Sequence, residues 1–426
     1  MPKASGPGPP PPKAKAKTQV KWSERQKAQA RVERLLSFSV VQQWRDSGES
    51  CSIDTVDWSA VDSVVHVGGG SGGVLLVRFA TGRLLCVKPQ RLEARGELFA
   101  SFLADALGIP TARLRVLPMT EQIMSCLRNA KLEISDHQLH VEKKILADAK
   151  YLGLVEFVQG PIMEGEDFTK HFRGCSDDRL KRFWVGAGQL AAFDCLINNL
   201  DRLPLIWAND GNLKNLMVDF PEEGLRVIGI DQAVRGISDA GLAKYLGSLR
   251  DLLHALWDSE AGWESSSSFR RVHAAIEVNF QEEFQVHALG FKLGLQEAFR
   301  RIAWCWPSSF CNQVDESRSQ VAAVFGCEPA ELDLLHCLVR AAATTIAEEV
   351  QKLDMKAVPQ PIIDIFRKLL PQGQFTPDQL ASFLQELDPS LQTTPAKDFL
   401  NSFSSAGTIG TISCSEFLGN LFRMDQ

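Results

Sequence analysis

No Cys-x-x-Cys pair occurs in the chain, although ten cysteines are scattered at positions 51, 86, 126, 175, 195, 305, 311, 327, 337 and 414. Zinc sites and dithiol redox centres draw on such pairs, so neither has a footing here. The cysteines read instead as small buried hydrophobes of a reducing compartment. No uninterrupted apolar stretch approaches the ~18 residues of a membrane span, and the first residues lack an apolar signal core. The expectation is a cytoplasmic protein with no membrane span. Positive charge is not in excess either: 46 Lys and Arg against 52 Asp and Glu leave a net charge of -6. A nucleic-acid partner is therefore not expected, because no overall positive field exists to hold a polyanion. The eight histidines form no His-Glu-x-x-His, and the Gly-x-Ser-x-Gly string at Gly69 to Gly73 leads into the strand VLLVRF rather than into the helix that a nucleophile elbow needs. Zinc-hydrolase and serine-hydrolase chemistry thus have no anchor.

What is present is 426 residues with 45% hydrophobic content, enough for two or three domains with a buried core. Residues 1–18 combine glycine, the run Pro9 to Pro12 and alternating lysines, a composition that predicts a disordered tail. Residues 19–50 predict an amphipathic helix, because Val32, Leu35, Leu36, Val40 and Trp44 recur at roughly helical spacing among charges. A block of strands follows over 61–88, with Ala80-Thr81-Gly82-Arg83 as the turn between VLLVRF and RLLCVK. ELFASFLADAL, residues 97–107, has the apolar periodicity of a helix and is stopped by Gly108 and Pro110. YLGLVEFV reads as a further strand. From about Ser176 helices dominate, with strand candidates at 216–220 and 225–230. The whole is an α+β pattern with a β-rich front, about 51–160, and a helical rear, about 161–356. The boundary at Lys356 to Pro361 leaves a small helical module over 357–426.

Gly68, Gly69, Gly70, Ser71, Gly72 and Gly73 form a cluster between two strands. A dinucleotide-binding turn would have to open a helix, whereas these glycines lead into a strand. They suit either a hairpin whose backbone N–H groups approach nucleotide phosphates or a flexible turn. Lys88 closes the following hairpin arm and Glu97 stands in the next helix, an order that lets a glutamate fix a phosphate-binding lysine. Residues 190–219, LAAFDCLINNLDRLPLIWANDGNLKNLMVD, carry a dense polar segment between an apolar helix and an apolar strand. Leu205, Ile206 and Trp207 in its middle predict an ordered loop. Asp231 follows the strand 225–230. Asp201, Asn215 and Asp231 together supply a carboxylate to orient an acceptor and oxygen ligands of the kind Mg²⁺ prefers. Asn215 stands 14 positions after Asp201, against about five in most protein kinases, so the loop carries an insertion.

The stretch NNLDRLPLIWANDGNLKNLM resembles the catalytic loop of the actin-fragmin kinase family, and the resemblance extends over about residues 50–300. It implies a two-lobed protein-kinase-like fold with a catalytic domain over 51–356, and a protein Ser/Thr kinase that uses ATP and Mg²⁺. By that resemblance Asp201 would be the catalytic base, Asn215 and Asp231 the metal ligands, and Lys88 the phosphate-binding lysine, with Glu97 its partner. Gly68, Gly70, Ser71, Gly72 and Gly73 would cover the phosphates, and Glu156, Phe157 and Val158 would form the hinge beside adenine. The implied partner is a protein substrate, with actin or an actin complex as the family's own target. His-Arg-Asp and Asp-Phe-Gly are both missing, which argues against an ordinary activation-loop switch. A catalytically inactive pseudokinase, a calcium-responsive adaptor scaffold and a lipid kinase are the alternatives.

In residues 357–426, the window Ser405 to Glu416 places Gly410, Ile412 and Glu416 at positions 6, 8 and 12 of an EF-hand loop. Ser405, Gly407 and Ile409 fill positions 1, 3 and 5, where carboxylates would be needed. A degenerate EF-hand-like pair that does not bind Ca²⁺ is the expectation.

Overall fold

Val, Leu and Phe runs in residues 61–90 produce three strands, β1 (Val61–Val67), β2 (Val74–Phe79) and β3 (Leu84–Gln90), paired antiparallel in chain order. Such side chains fit a pleated surface covered on both faces. At the turn into β3, Gly82 has φ +81°, a conformation that costs glycine nothing. This computed structural model describes residues 40, 43–44, 48–67, 74–90, 92, 94–132, 149–163, 169, 172, 174–219, 225–257, 262–280, 283–357, 374–375 and 412–413. The sheet is completed by β4 (Leu114–Pro118), β5 (Lys131–Leu132) and β6 (Tyr151–Val155), in the order β4-β6-β3-β2-β1-β5. Helix α1 (Ala94–Leu107) follows β3 and buries Leu98, Phe99, Leu103 and Leu107. Helix α2 (Glu121–Asn129), capped by Thr120, places Ile123 and Leu127 on the sheet beside Val64, Val77, Leu85 and Val87.

The rear is helical, as expected. Helix α3 (Asp177–Ile197) buries all of residues 190–197 and is followed by α4 (Asp239–Trp257), α5 (Ser267–Phe280), α6 (Glu283–Cys305), α7 (Cys311–Phe325) and α8 (Asp333–Ala357). Edge-to-face contacts join Trp184 to Phe172, Phe183, Phe284 and Phe291 at the centre of this core, an arrangement favoured by the ring quadrupoles. A hairpin of β7 (Leu216–Asp219) and β8 (Arg226–Gly229) lies at the front of the helices. It is stitched to the sheet side by Ala112 N–H to the Gly229 carbonyl, 2.9 Å, and Gly229 N–H to the Pro110 carbonyl, 3.0 Å. An antiparallel front sheet followed by a helical rear is the α+β architecture that a two-lobed kinase-like fold requires.

Of the helix expected over 19–50, residues 40, 43, 44 and 48–50 are described; the first three are helical, whereas 48–50 are not, Ser50 bridging to Leu84 beside the sheet. Trp44 is buried against Val65, Leu76, Leu84 and Phe157, with the Arg78 guanidinium 4.8 Å from its ring centre. Residues 19–39, 41–42 and 45–47 and the tail 1–18 lie outside the described residues. In 357–426 the described residues beyond the end of α8 are Gln374–Phe375 and Ile412–Ser413, which pair antiparallel.

Candidate active site

Alternation along β3 leaves Lys88 half-buried between the covered Val87 and Pro89. Its ammonium donates to Glu97 Oε2 of α1 at 3.2 Å and makes a close ion pair with Asp231 Oδ1. Gln90 Nε2 donates to the same Glu97 oxygen at 2.9 Å, which fixes the carboxylate from a second side. Burial disfavours the charge on Lys88, but the Glu97 and Asp231 carboxylates outweigh it and hold the ammonium above its ordinary value. Asp231 itself follows β8 with φ +59°, a left-handed conformation unusual for a residue with a side chain. The sheet, α1 and the hairpin therefore converge on one charged triad.

A second group sits on the loop that follows α3. That helix ends in Asn198, whose φ of 55° turns the chain out of the helix. Asn215 Nδ2 donates to Asp201 twice, to its carbonyl at 3.0 Å and to Oδ2 at 3.2 Å. The two groups are adjacent, because Ile230 N–H, beside Asp231, donates to the Asn215 carbonyl at 3.0 Å. The inserted loop is ordered by its own polar side chains. Trp207 Nε1 donates to Asn198 Oδ1 at 3.0 Å, and Asn198 Nδ2 donates to the Arg235 carbonyl at 2.9 Å. Beneath it, Arg202 is fully buried and pairs with Asp194 of α3. Arg202 also donates to the Ile230 carbonyl at 3.2 Å and to Gln232 Oε1 at 3.1 Å, while Asn199 Nδ2 donates to Asp194 Oδ1 at 2.8 Å. Burial pushes the Asp194 carboxyl up against the opposing pull of Arg202.

An apolar patch borders these polar groups. Val158 packs with Ala112, Met217 and Ile228, rimmed by Val155, Ile162 and Ile230. Phe157 turns the other way, into the cluster holding Trp44, and Glu156 N–H donates to the Arg113 carbonyl at 3.0 Å. Gly68, Gly70, Ser71, Gly72 and Gly73 lie outside the described residues. They join Val67 to Val74, which are themselves paired at the ends of β1 and β2.

Lys88, Glu97, Asp201, Asn215 and Asp231, singled out from the sequence, thus meet at one place, with Val158 beside them. The sequence pattern singles out none of Gln90, Arg235, Asp194 and Gln232; Gln90 and Arg235 touch Glu97 and Asp201 directly, and Asp194 and Gln232 hold Arg202 beneath the loop. Residues 45–231 match the family model described as "Actin-fragmin kinase, catalytic". The matched segment holds Lys88, Gln90, Glu97, Asp194, Asp201, Arg202, Asn215 and Asp231, whereas Gln232 and Arg235 lie just beyond it. A curated protein of Dictyostelium discoideum, named "Putative actin-fragmin kinase", is 25% identical over 221 residues. That stretch is 48% of this chain and 52% of the relative, so the chain spans about half the length of the protein it matches. At the level of the family, the actin-fragmin kinase match is to kinase-type phosphotransferases. Among the described residues no helix is long and apolar enough to cross a membrane.

Proposed function

We propose that the chain is a protein kinase that transfers the γ-phosphoryl group of ATP to a Ser or Thr hydroxyl of a protein substrate. The observation that carries this reading is the Lys88 ammonium held between Glu97 and Asp231, with Asn215 and Asp201 joined beside it. Phosphoryl transfer asks a protein mainly for positioning and for charge stabilisation, and these groups supply both. Lys88, braced by Glu97 and Gln90, is placed to bind phosphate oxygens. Asp201 Oδ2 orients the acceptor hydroxyl and takes its proton. Val158, Ala112, Met217 and Ile228 offer an apolar seat for a purine next to the Glu156 to Val158 backbone, and the glycine cluster at 68–73 covers the phosphates.

The donor set also fits magnesium. Asp231 offers a carboxylate, and Asn215 spends its Nδ2 on Asp201, leaving the amide oxygen for a cation. Hard oxygen ligands of this kind, completed by phosphate oxygens and water, are what Mg²⁺ takes. When bound, the ion would neutralise charge developing on the transferred group.

Two further parts of the reading concern neighbouring segments. Ile412, at position 8 of the loop Ser405 to Glu416, pairs with Phe375, and this supports an EF-hand-like pair that lacks the carboxylates for Ca²⁺. Actin, or an actin complex, is the first acceptor to offer, on the strength of the family alone. The reading is tested by thermal unfolding: millimolar Mg²⁺-ATP raises the melting temperature of the wild type, and Asp231→Ala removes the metal-dependent part of the rise. A wild type indifferent to Mg²⁺-ATP would favour a pseudokinase scaffold instead.

A further inference from the structure

We infer that Arg235 is a catalytic residue of this site, the cation that binds the γ-phosphoryl oxygens on the side where the acceptor enters. The inference rests on the phosphotransferase reading and adds to it a group lying just beyond the family match. Charge develops on the equatorial oxygens of the transferred group, and a positioned cation there is worth a large factor in rate. Lys88, held by Glu97 and Asp231, is the cation that approaches the phosphates from β3. The loop from Asp201 to Asn215 holds two basic residues, Arg202 and Lys214. Arg202, next to Asp201, is wholly buried beneath the loop and spent on Asp194, Gln232 and the Ile230 carbonyl, and Lys214 stands at the other end of the loop beside Asn215, so Arg202 presents no charge to the acceptor side.

Arg235 fills that gap from the following segment. Its guanidinium lies 3.5 Å from Asp201 Oδ2, a loose contact for an ion pair, and the side chain is 41% exposed. Its backbone, by contrast, is tied down. Arg235 N–H donates to the Ile197 carbonyl at 3.2 Å, and the Arg235 carbonyl accepts from Asn198 Nδ2 at 2.9 Å. The preceding Val234 N–H donates to the Gly96 carbonyl at 3.0 Å, one position from Glu97. The Cα is thus fixed to both the Asp201 loop and α1, and the end of the side chain is free to turn. A guanidinium presents a planar fork of donors that can hold a carboxylate and a phosphate oxygen together, which an ammonium cannot do as well.

In the step itself, the acceptor hydroxyl oxygen forms a bond to the γ-phosphorus as the bond from phosphorus to the β,γ-bridging oxygen breaks. That electron pair leaves on ADP, and the hydroxyl proton passes to Asp201. Arg235 keeps its proton throughout, binding the oxygens of the group in transit while it holds the Asp201 carboxylate in line.

The test compares wild type, Arg235→Ala and Arg235→Lys by titration calorimetry with Mg²⁺-ADP and Mg²⁺-ATP, and by turnover on one protein acceptor. The expected result for Arg235→Ala is a fall in kcat of ~100-fold or more, with unchanged affinity for Mg²⁺-ADP and weakened affinity for Mg²⁺-ATP. Arg235→Lys restores part of the loss, and added guanidinium ion rescues Arg235→Ala but not wild type. Equal weakening of both nucleotides, a change confined to the acceptor KM, or turnover within about threefold of wild type would each overturn the assignment. An active wild type matched by Arg235→Ala sinks this inference alone. A wild type that binds neither nucleotide removes the phosphotransferase reading, and this inference with it.

Discussion

Lys88 shows how single residues carry this site. Its folded-state value lies above the ordinary 10.5 because Glu97 and Asp231 more than offset its burial. A raised lysine contributes stability that is complete below the unfolded value and lost as pH rises through the folded one. The contribution of the triad is therefore flat across neutral pH, and it fades only in strongly alkaline solution. Thermal unfolding followed from about pH 7 to pH 11 checks this, and Lys88→Met is expected to blunt the alkaline decline. Asp194 and Arg202 make the opposite case, a buried pair whose value lies in being complete. Arg202→Met strands a buried carboxylate and is expected to cost about 3–5 kcal/mol, whereas the double change Asp194→Leu with Arg202→Met costs less than the single one. Denaturant unfolding of the three proteins decides it. The Lys88 and Glu97 pairing was legible in the sequence, since a strand and the helix after it must lie close. Nothing in the sequence shows that Arg202 faces inward while its neighbour Asp201 faces the site, because that split depends on Asp194 of α3 and the Ile230 carbonyl after β8 meeting at one guanidinium.

At the scale of elements, α1 is the piece on which the site turns, and it is held from several sides. Arg95 pairs with Glu331 at 3.0 Å and covers the Phe325 ring, while Gly96 accepts from Val234 N–H. Helix α7 and the chain after Asp231 thus pin the helix that carries Glu97. A side chain at Gly96 would place its Cβ 2.7 Å from the Val234 carbonyl oxygen, closer than real Cβ atoms come. Gly96→Ala is expected to cost about 1–3 kcal/mol and to slow turnover, read by unfolding and by kinase assay. Unchanged turnover would show that the registry of α1 against residues 231–235 does not matter. The β1 to β3 meander and α1 could be read from period-2 and period-3.6 patterns, and so could the hairpin strands β7 and β8. The insertion of β6 between β4 and β3 could not, because strand order is set by packing of distant segments rather than by any local pattern. Arg235 is illegible in the sequence for the same reason: it is brought to Asp201 by its own backbone contact with Ile197 and by that of Val234 with Gly96, both far away in the chain.

For the molecule as a whole, the account joins a β-rich front, a helical rear and one charged centre where they meet. The helical rear beyond residue 231 lies past the family match, yet it supplies α7, Glu331 and Arg235 to that centre. The family match covers Lys88, Glu97, Asp201, Asn215 and Asp231, and contacts from beyond it hold α1. The central claim is that the chain moves a phosphoryl group from ATP onto a protein. Its most direct measurement is transfer of label from γ-labelled Mg²⁺-ATP, with wild type and Asp201→Asn each offered monomeric actin, actin bound by a capping protein, a generic basic protein and phosphoinositide vesicles. The account predicts label on Ser or Thr of a protein acceptor with wild type, and ~100-fold less or none with Asp201→Asn at equal stability. Label on lipid alone, or equal labelling by the two proteins, would contradict it.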